Sequence, residues 1–238
     1  MENAIYAALT RQSGLMSEMR AVADNIANAN TTGFRAEGVV FSEYIQALDR
    51  DSPSLSMAAA RVRETDFGQG SLGATGGTFD LAIEGEGFFL IGTPNGERLT
   101  RAGSFTPNEN GDLVTSQGYP VLDAGGAPVF VPNGTGPVAI SPDGTVSADG
   151  QPVGQIGLVM PTDPSAMTRE DGVLFRADAG WENAETGRVM QGFLEESNVD
   201  AVMQITRMIE VQRAYELGQG FLDREDQRIR GVIQAMGR

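Results

Sequence analysis

Apolar residues recur at alternating three- and four-residue steps at both ends of this chain, and the middle lacks that pattern. Near the N-terminus Ile5, Ala8, Leu15, Met19, Val22 and Ile26 keep the spacing, with Gln12 as the polar member of the series. Near the C-terminus Ala201, Ile205, Met208, Tyr215, Leu222, Ile229, Ile233 and Met236 keep it, interrupted by Gln212, Gln219 and Asp226. A repeat of about 3.5 residues winds one narrow apolar seam along a helix, and such a seam needs a partner helix to cover it. The spacing predicts helices over residues 2–29 and 199–236, the second roughly 60 Å long at a rise of about 1.5 Å per residue. Asn28-Ala29-Asn30-Thr31-Thr32-Gly33 ends the first, with Gly33 able to take the left-handed conformation of a helix C-cap. Ser197-Asn198-Val199-Asp200 supplies capping side chains for the second.

Between these ends the pattern is that of β-structure. Residues 67–192 hold 24 of the 31 glycines and ten of the eleven prolines, so the middle is a body separate from the helices. Phe79-Asp80-Leu81-Ala82-Ile83-Glu84 alternates as a half-buried strand does, and Gly87-Phe88-Phe89-Leu90-Ile91 is a short apolar run. Asn95-Gly96, Asn110-Gly111, Asn133-Gly134, Asp143-Gly144, Asp149-Gly150 and Asp171-Gly172 are dipeptides that tolerate the positive φ of tight hairpin turns. Short antiparallel strands in a barrel-like or sandwich body follow from them. Residues 34–60 are mixed: Val39-Val40-Phe41 reads as extended, and Tyr44, Ile45 and Leu48 as a short helix. Amphipathic helices commonly cover their own domain's core. Here the β body has its own core and few apolar residues to spare, so the seams look outward to a partner and should be loose in an isolated subunit.

Charge and composition narrow the function. A net charge of −15 makes nucleic acid an unlikely partner. With neither cysteine nor histidine, Cys/His zinc sites, thiol chemistry and Ser-His-Asp triads are excluded. The N-terminus lacks the basic start and apolar run of a cleaved signal peptide, and no apolar segment reaches the length needed to span a bilayer. Asp80, Glu84 and Glu86 offer carboxylates, but scattered surface acids explain them better than glycoside hydrolysis. Asn108-Glu109-Asn110-Gly111-Asp112 lacks the spaced terminal glutamate of a calcium loop and reads as a hairpin turn. Trp181 fits a connector, an interface or core packing equally, and Glu210 with Arg213 has the spacing of a helical ion pair. We assign no catalytic, cofactor-binding or metal-binding residue and expect no small-molecule ligand and no membrane insertion.

Four blocks carry a resemblance. Ala23-Asp24-Asn25-Ile26-Ala27-Asn28-Ala29-Asn30-Thr31-Thr32-Gly33-Phe34-Arg35 resembles the N-terminal signature of the flagellar rod and hook axial proteins, departing at Asp24, where that family more often has asparagine. The second is Phe79–Phe89, and the third is Leu99-Thr100-Arg101-Ala102-Gly103-Ser104-Phe105 with Asn110–Val114. The last is Leu194-Glu195-Glu196-Ser197-Asn198-Val199-Asp200 with Met208–Glu216. Asp223–Arg230 is similar to the ending of proximal-rod members; a distal-rod or hook protein is the alternative within the family. A secreted binding module or glycan-active enzyme on a β scaffold is the alternative outside it.

The resemblance implies an α+β fold and a structural, non-enzymatic subunit of the periplasmic flagellar rod, which transmits torque from motor to hook. In it the N- and C-terminal helices (1–33 with 195–238) pair as a coiled-coil-like axial stalk. A β-rich connector (34–75 with 180–194) follows, and a β-rich outer domain (76–179) lies beyond. Its partners would be other rod proteins and copies of itself, with the flagellar type III export apparatus in transit, leaving the cytoplasm without a cleaved signal. The assembly interface would be carried by Ile5, Leu15, Met19, Val22, Ile26, Ile205, Met208, Tyr215, Leu222, Ile229 and Ile233. A helix-end motif would comprise Asn25, Asn28, Asn30, Thr31, Gly33, Phe34, Ser197 and Asn198, although plain C-capping and turn formation account for the asparagines equally well.

Overall fold

The computed structural model describes residues 2–46, 55–132, 134 and 136–236, and side chains over 6–40, 64–132, 134 and 136–236. The fold is α+β, with a helix at each end and a β-rich middle. It divides into two compact units: Met1–Ala29, Ala36–Phe67 and Val199–Arg238 form the first, Asn30–Arg35 and Gly68–Asn198 the second.

In the first unit, helix α1 spans Glu2–Ala27 and helix α2 spans Ala201–Met236. Asn28 closes α1 by returning its backbone N–H (3.1 Å) and its side-chain amide (2.9 Å) to the Asp24 carbonyl. Asp200 opens α2, its Oδ1 accepting from the backbone N–H groups of Val202 (2.9 Å) and Met203 (3.0 Å), two donors that otherwise lack a helical partner. Strands β1 (Glu37–Gln46) and β2 (Leu55–Thr65) form an antiparallel hairpin with a bulge between Val40 and Phe41. Tyr44 and Ile45 are strand residues opposite Met57 and Ser56, and not part of the expected short helix; Leu48 lies outside the described residues. Pairing with β2 overrides a helical spacing of only three apolar residues.

The second unit is built from short strands. They are β3 (Leu72–Ala74), β4 (Leu81–Glu84), β5 (Phe88–Thr93), β6 (Gly96–Thr100), β7 (Thr106–Pro107), β8 (Leu113–Val114), β9 (Val138–Ile140) and β10 (Thr145–Ala148). They continue with β11 (Gln151–Gln155), β12 (Leu158–Pro161), β13 (Met167–Asp171), β14 (Leu174–Ala177), β15 (Trp181–Asn183), β16 (Arg188–Gln191) and β17 (Phe193–Glu195). A six-stranded antiparallel sheet runs β13-β14-β6-β5-β12-β15, and a three-stranded one β11-β10-β9. Three two-stranded ladders, β16-β4, β17-β3 and β7-β8, complete it. The barrel-like closure expected from the sequence does not occur: among the described residues β13 and β15 end the larger sheet without pairing to each other. The remaining strands of the unit pair into separate two- and three-stranded ladders in place of bridging β13 to β15, so no ring of strands forms among the described residues.

All six glycines of the turn dipeptides take positive φ, from +48° at Gly172 to +102° at Gly96. Asp149 (φ +51°) and Gly150 (φ +76°) do so in succession between β10 and β11, the requirement of a two-residue type I′ hairpin. A single core lies within the unit, with Leu81, Ile83, Phe89, Ile91, Leu113 and Val121 fully shielded from solvent. Phe89 and Phe105 meet edge to face at its centre, with ring centroids 5.2 Å apart.

Candidate assembly surface and buried anchor

Helices α1 and α2 run antiparallel, and polar contacts set their register. The Gln12 amide donates to the Tyr215 carbonyl at 2.9 Å, Arg207 Nε donates to Glu18 at 2.6 Å, and Asn25 donates to Gln204 at 3.3 Å. Gly218 makes room for the first of these, since a Cβ there would stand 2.3 Å from Gln12 Nε2. A mid-helix glycine costs about 1 kcal/mol against alanine, so its presence is explained by what it admits. Arg207 grips Glu18 with both Nε and Nη2 and also reaches Glu210 at 3.1 Å, contacts that raise its pKa. The remaining polar residues of the α2 seam bond within their own helix: Gln212 to Glu216, Gln219 to the Tyr215 hydroxyl, and Asp226 to Arg230.

Along one flank the helix pair leaves an open groove. One stretch, of about 440 Å3, is lined by Ala7, Ala8, Leu15, Ala214, Leu217 and Phe221 among others. A second, of about 450 Å3, shares Arg11, Leu15 and Ala214 and continues to Glu18 and Arg207.

The second unit contains a buried ionic anchor. Glu195 at the end of β17 and Arg35 are both completely shielded, and Arg101 is 4% exposed. Glu195 Oε1 accepts from Arg35 Nη2 at 2.6 Å and from the Gly70 N–H at 2.9 Å, while its Oε2 accepts from Arg101 Nη1 at 3.2 Å. Arg101 also donates to the carbonyls of Ile83 and Gly85 and lies 5.2 Å from the Phe88 ring centre. Burial pulls the Arg101 pKa below the ordinary guanidinium value, with Glu195 opposing that shift. Two guanidiniums share one carboxylate, and Arg35 Nε and Nη1 and Arg101 Nε find no hydrogen-bond partner among the described residues.

The residues before Arg35 seat it there. Gly33, at φ +70°, donates its N–H to the Glu195 carbonyl at 2.8 Å and lies so close to Ala102 that a Cβ would stand 2.3 Å from the Ala102 nitrogen. Phe34 is buried, and the Arg169 guanidinium lies 4.5 Å from its ring centre and 4.7 Å from that of Phe175. Gly103 touches the opposite side of the same corner, where a Cβ would overlap the Leu81 carbonyl oxygen at 1.7 Å.

Arg35, Arg101 and Glu195 and much of the helix pair fall within segments that match family models. Family models for the "Flagella basal body rod protein", the "Flagellar hook protein FlgE/F/G D1 domain" and the "Flagellar basal body rod FlgEFG protein C-terminal" match residues 5–35, 82–148 and 190–235. The chain is 41% identical over its whole length to the flagellar basal-body rod protein FlgF of Caulobacter vibrioides, covering 99% of that protein. The chain belongs to the flagellar hook and basal-body rod protein family. It is also 33% identical to the FlgF of Escherichia coli over 91% of each chain, and 29% identical to the FlgG of Bacillus subtilis over 98% of each. The family is one of structural rod proteins, not enzymes. Among the described residues no cluster of acidic side chains is arranged to hold a metal ion, and no helix is long and apolar enough to cross a membrane.

Against this family background the sequence-derived site residues fall into distinct places. Leu15 and Val22 are buried, Met19, Ile26, Met208, Tyr215 and Leu222 are half-buried, and Ile205, Ile229 and Ile233 are exposed; the side chain of Ile5 lies outside the described ones. Val211, 2% exposed, takes the buried place in the α2 seam and Gln212 is exposed; its steps of three from Met208 and four to Tyr215 keep the same spacing. Asn25 caps nothing: its side chain accepts from the Glu37 N–H at 2.9 Å and donates to the Glu37 carbonyl at 2.8 Å, pairing with the start of β1 as a strand would. Asn28 is the helix-closing residue. Asn30 is exposed, and the Thr31 carbonyl accepts from the Phe34 N–H. Gly33 is left-handed but lies six residues past the end of α1, so it serves the approach to Ala102 and not a C-cap. Ser197 is half-buried, while Asn198 donates from its side chain to the Gly68 carbonyl and from its backbone to the Phe34 carbonyl.

In the sequence Arg35, Arg101 and Glu195 lie in three separate resembling blocks, with nothing local that joins them into a site. Three charged residues flanked by Phe34, Ala102 and Leu194 in short apolar contexts were the available signal.

Proposed function

We propose that this chain is a structural subunit of the flagellar rod, of the proximal-rod type, and that it assembles with related rod proteins and with copies of itself. The observation that carries this reading is similarity from end to end to rod proteins, at 41% identity with the FlgF of Caulobacter vibrioides. The helices α1 and α2 form the axial element in a coiled-coil-like stalk, with Ile205, Ile229 and Ile233, exposed in the single chain, available to neighbouring subunits. The division into an axial domain (1–33 with 195–238), a connector (34–75 with 180–194) and an outer domain (76–179) belongs to the same reading. So do export through the flagellar type III apparatus without a cleaved signal and residence in the periplasmic part of the basal body. Helices packed side by side resist torsion, and the β body adds lateral contacts.

The test is position. An epitope inserted at the exposed Gln117-Gly118 turn, where Gly118 faces open space, should label isolated basal bodies on the proximal part of the rod. Label on the distal rod or the hook would move the chain to another member's place, and basal bodies without label would overturn the reading.

A further inference from the structure

The buried anchor of the second unit is one negative charge short. Arg35 and Arg101 bring two guanidiniums inside, and among the described residues Glu195 is the one carboxylate bonded to either. Both of its oxygens are already engaged, Oε1 by Arg35 Nη2 and the Gly70 N–H, Oε2 by Arg101 Nη1. The neighbouring charges do not close the gap. Glu86 attracts the Arg101 guanidinium from an exposed position. Glu196 is exposed and accepts from the Ser71 hydroxyl. Arg169, which donates to the Arg35 carbonyl, brings a third guanidinium to the same corner.

Solvent does not reach the excess charge, since Arg35 is completely shielded and Arg101 nearly so. A buried ion without a counter-charge is costly, and a buried N–H without an acceptor adds to that cost. Arg35 Nε and Nη1 and Arg101 Nε are such donors, so charge and acceptors are missing at one place. A water molecule would supply an acceptor and leave the charge; an anion supplies both. The backbone packs tightly round the cluster: a Cβ on Gly70 would stand 2.1 Å from the Glu196 carbonyl oxygen, and one on Gly33 2.3 Å from the Ala102 nitrogen. Such packing favours a monatomic anion, close to a water molecule in bulk, over sulfate, phosphate or a carboxylate ligand. We infer that the unpaired guanidinium nitrogens of Arg35 and Arg101 bind one chloride-sized anion inside the second unit, which balances the charge that Glu195 leaves over. Folding of this unit then takes up one halide ion.

Urea unfolding of the full-length chain, followed by Trp181 fluorescence, tests this at constant ionic strength with chloride exchanged for gluconate, an anion too bulky for the site. An ion held by the folded state and not by the unfolded chain raises the folding equilibrium constant in proportion to its concentration once the site fills. Between roughly 30 and roughly 300 mM chloride that constant should rise about tenfold, and bromide should act alike. A general salt effect would run the other way, because the more strongly hydrated gluconate is excluded from the protein surface and favours the folded state. The Arg35→Met, Arg101→Met, Glu195→Leu chain, with no charge left in the cluster, should show no rise. Chloride NMR gives a second reading on the folded protein. Wild type should broaden the chloride line and added bromide should reverse the broadening, while Arg101→Met, which leaves a balanced Arg35–Glu195 pair, should bind at least tenfold more weakly. Equal folding constants in chloride and gluconate, or the same chloride broadening with Arg101→Met as with wild type, overturns the inference and leaves a water molecule as the acceptor.

Discussion

Replacing Glu195 by glutamine tests the buried anchor where it should be most sensitive. The substitution keeps the shape and removes the one negative charge between Arg35, at 2.6 Å, and Arg101, at 3.2 Å. It also turns one acceptor into an amide that points N–H groups at an arginine. Removing one member of a buried pair costs about 3–5 kcal/mol, because the charge left behind is neither hydrated nor compensated. Here two guanidiniums are left, and three of their nitrogens already lack hydrogen-bond partners among the described residues, so the upper part of that range applies. With a slope of about 2 kcal/mol/M, the urea midpoint should fall by about 2 M. Trp181, the only tryptophan and a residue of β15, reports unfolding of this unit by fluorescence. Glu170→Gln, at an ion pair nearer the surface, should move the midpoint far less. A combined Arg35→Met, Arg101→Met, Glu195→Leu chain should regain most of the stability, since well-packed apolar groups replace a buried ionic cluster at little cost. A Glu195→Gln midpoint within 0.5 M of wild type, a shift of about 1 kcal/mol at that slope, would refute the reasoning.

Other outcomes follow from the same contacts. Asn25→Ala should cost the helical unit about 2 kcal/mol, read by thermal unfolding, because it removes two buried hydrogen bonds to the backbone of Glu37; a loss under 0.5 kcal/mol would contradict the pairing. Gly218→Ala alone should be near neutral, as about 1 kcal/mol of helix propensity offsets eviction of the Gln12 amide, whereas in a Gln12→Ala background it should stabilise by about 1 kcal/mol. Simple additivity of the two changes would show that Gly218 does not serve Gln12. The Arg98 guanidinium, with help from Arg176, holds the Glu170 carboxyl below its ordinary pKa, and Arg176 does the same for Asp178. A carboxyl whose pKa is lowered by folding contributes stability that is complete above its unfolded value, about 4, and is lost as pH falls through the folded value. The wild-type stability curve should therefore drop more steeply below about pH 4 than that of a Glu170→Gln, Asp178→Asn chain, and parallel acid limbs would contradict this.

Both helices and five of the six expected hairpin turns were legible in the chain because each rests on local chemistry; Gly134 takes positive φ in a connection between β8 and β9, which do not pair. The seam spacing reports a helix whether or not its partner is known, and the Asn-Gly and Asp-Gly pairs report positive φ from within four residues. Tyr44 and Ile45 went the other way because their strand exists only through β2, a pairing set by residues more than ten positions distant. The ionic anchor was hidden for the same reason. Arg35, Arg101 and Glu195 are 66 and 94 residues apart in sequence, and nothing in the neighbourhood of any one says that the others are near. Asn25 shows how a residue type can be right for two roles: the same amide that suits a helix end also matches the donor and acceptor of a strand backbone. Asp24, the one departure from the family signature, is exposed and contributes through its carbonyl, which accepts from Asn28, so an asparagine there would serve as well.

The central claim is that this chain is a rod subunit whose helices carry assembly, and imaging of basal bodies from cells lacking it tests that most directly. The account predicts that such cells make the membrane-embedded base, that their rods stop short and that they do not swim. Full-length wild-type chain should restore the rod, and a folded Leu217→Glu chain, altered only in the groove of the helix pair, should not. Complete rods in the deletion strain, or full restoration by Leu217→Glu, would contradict it.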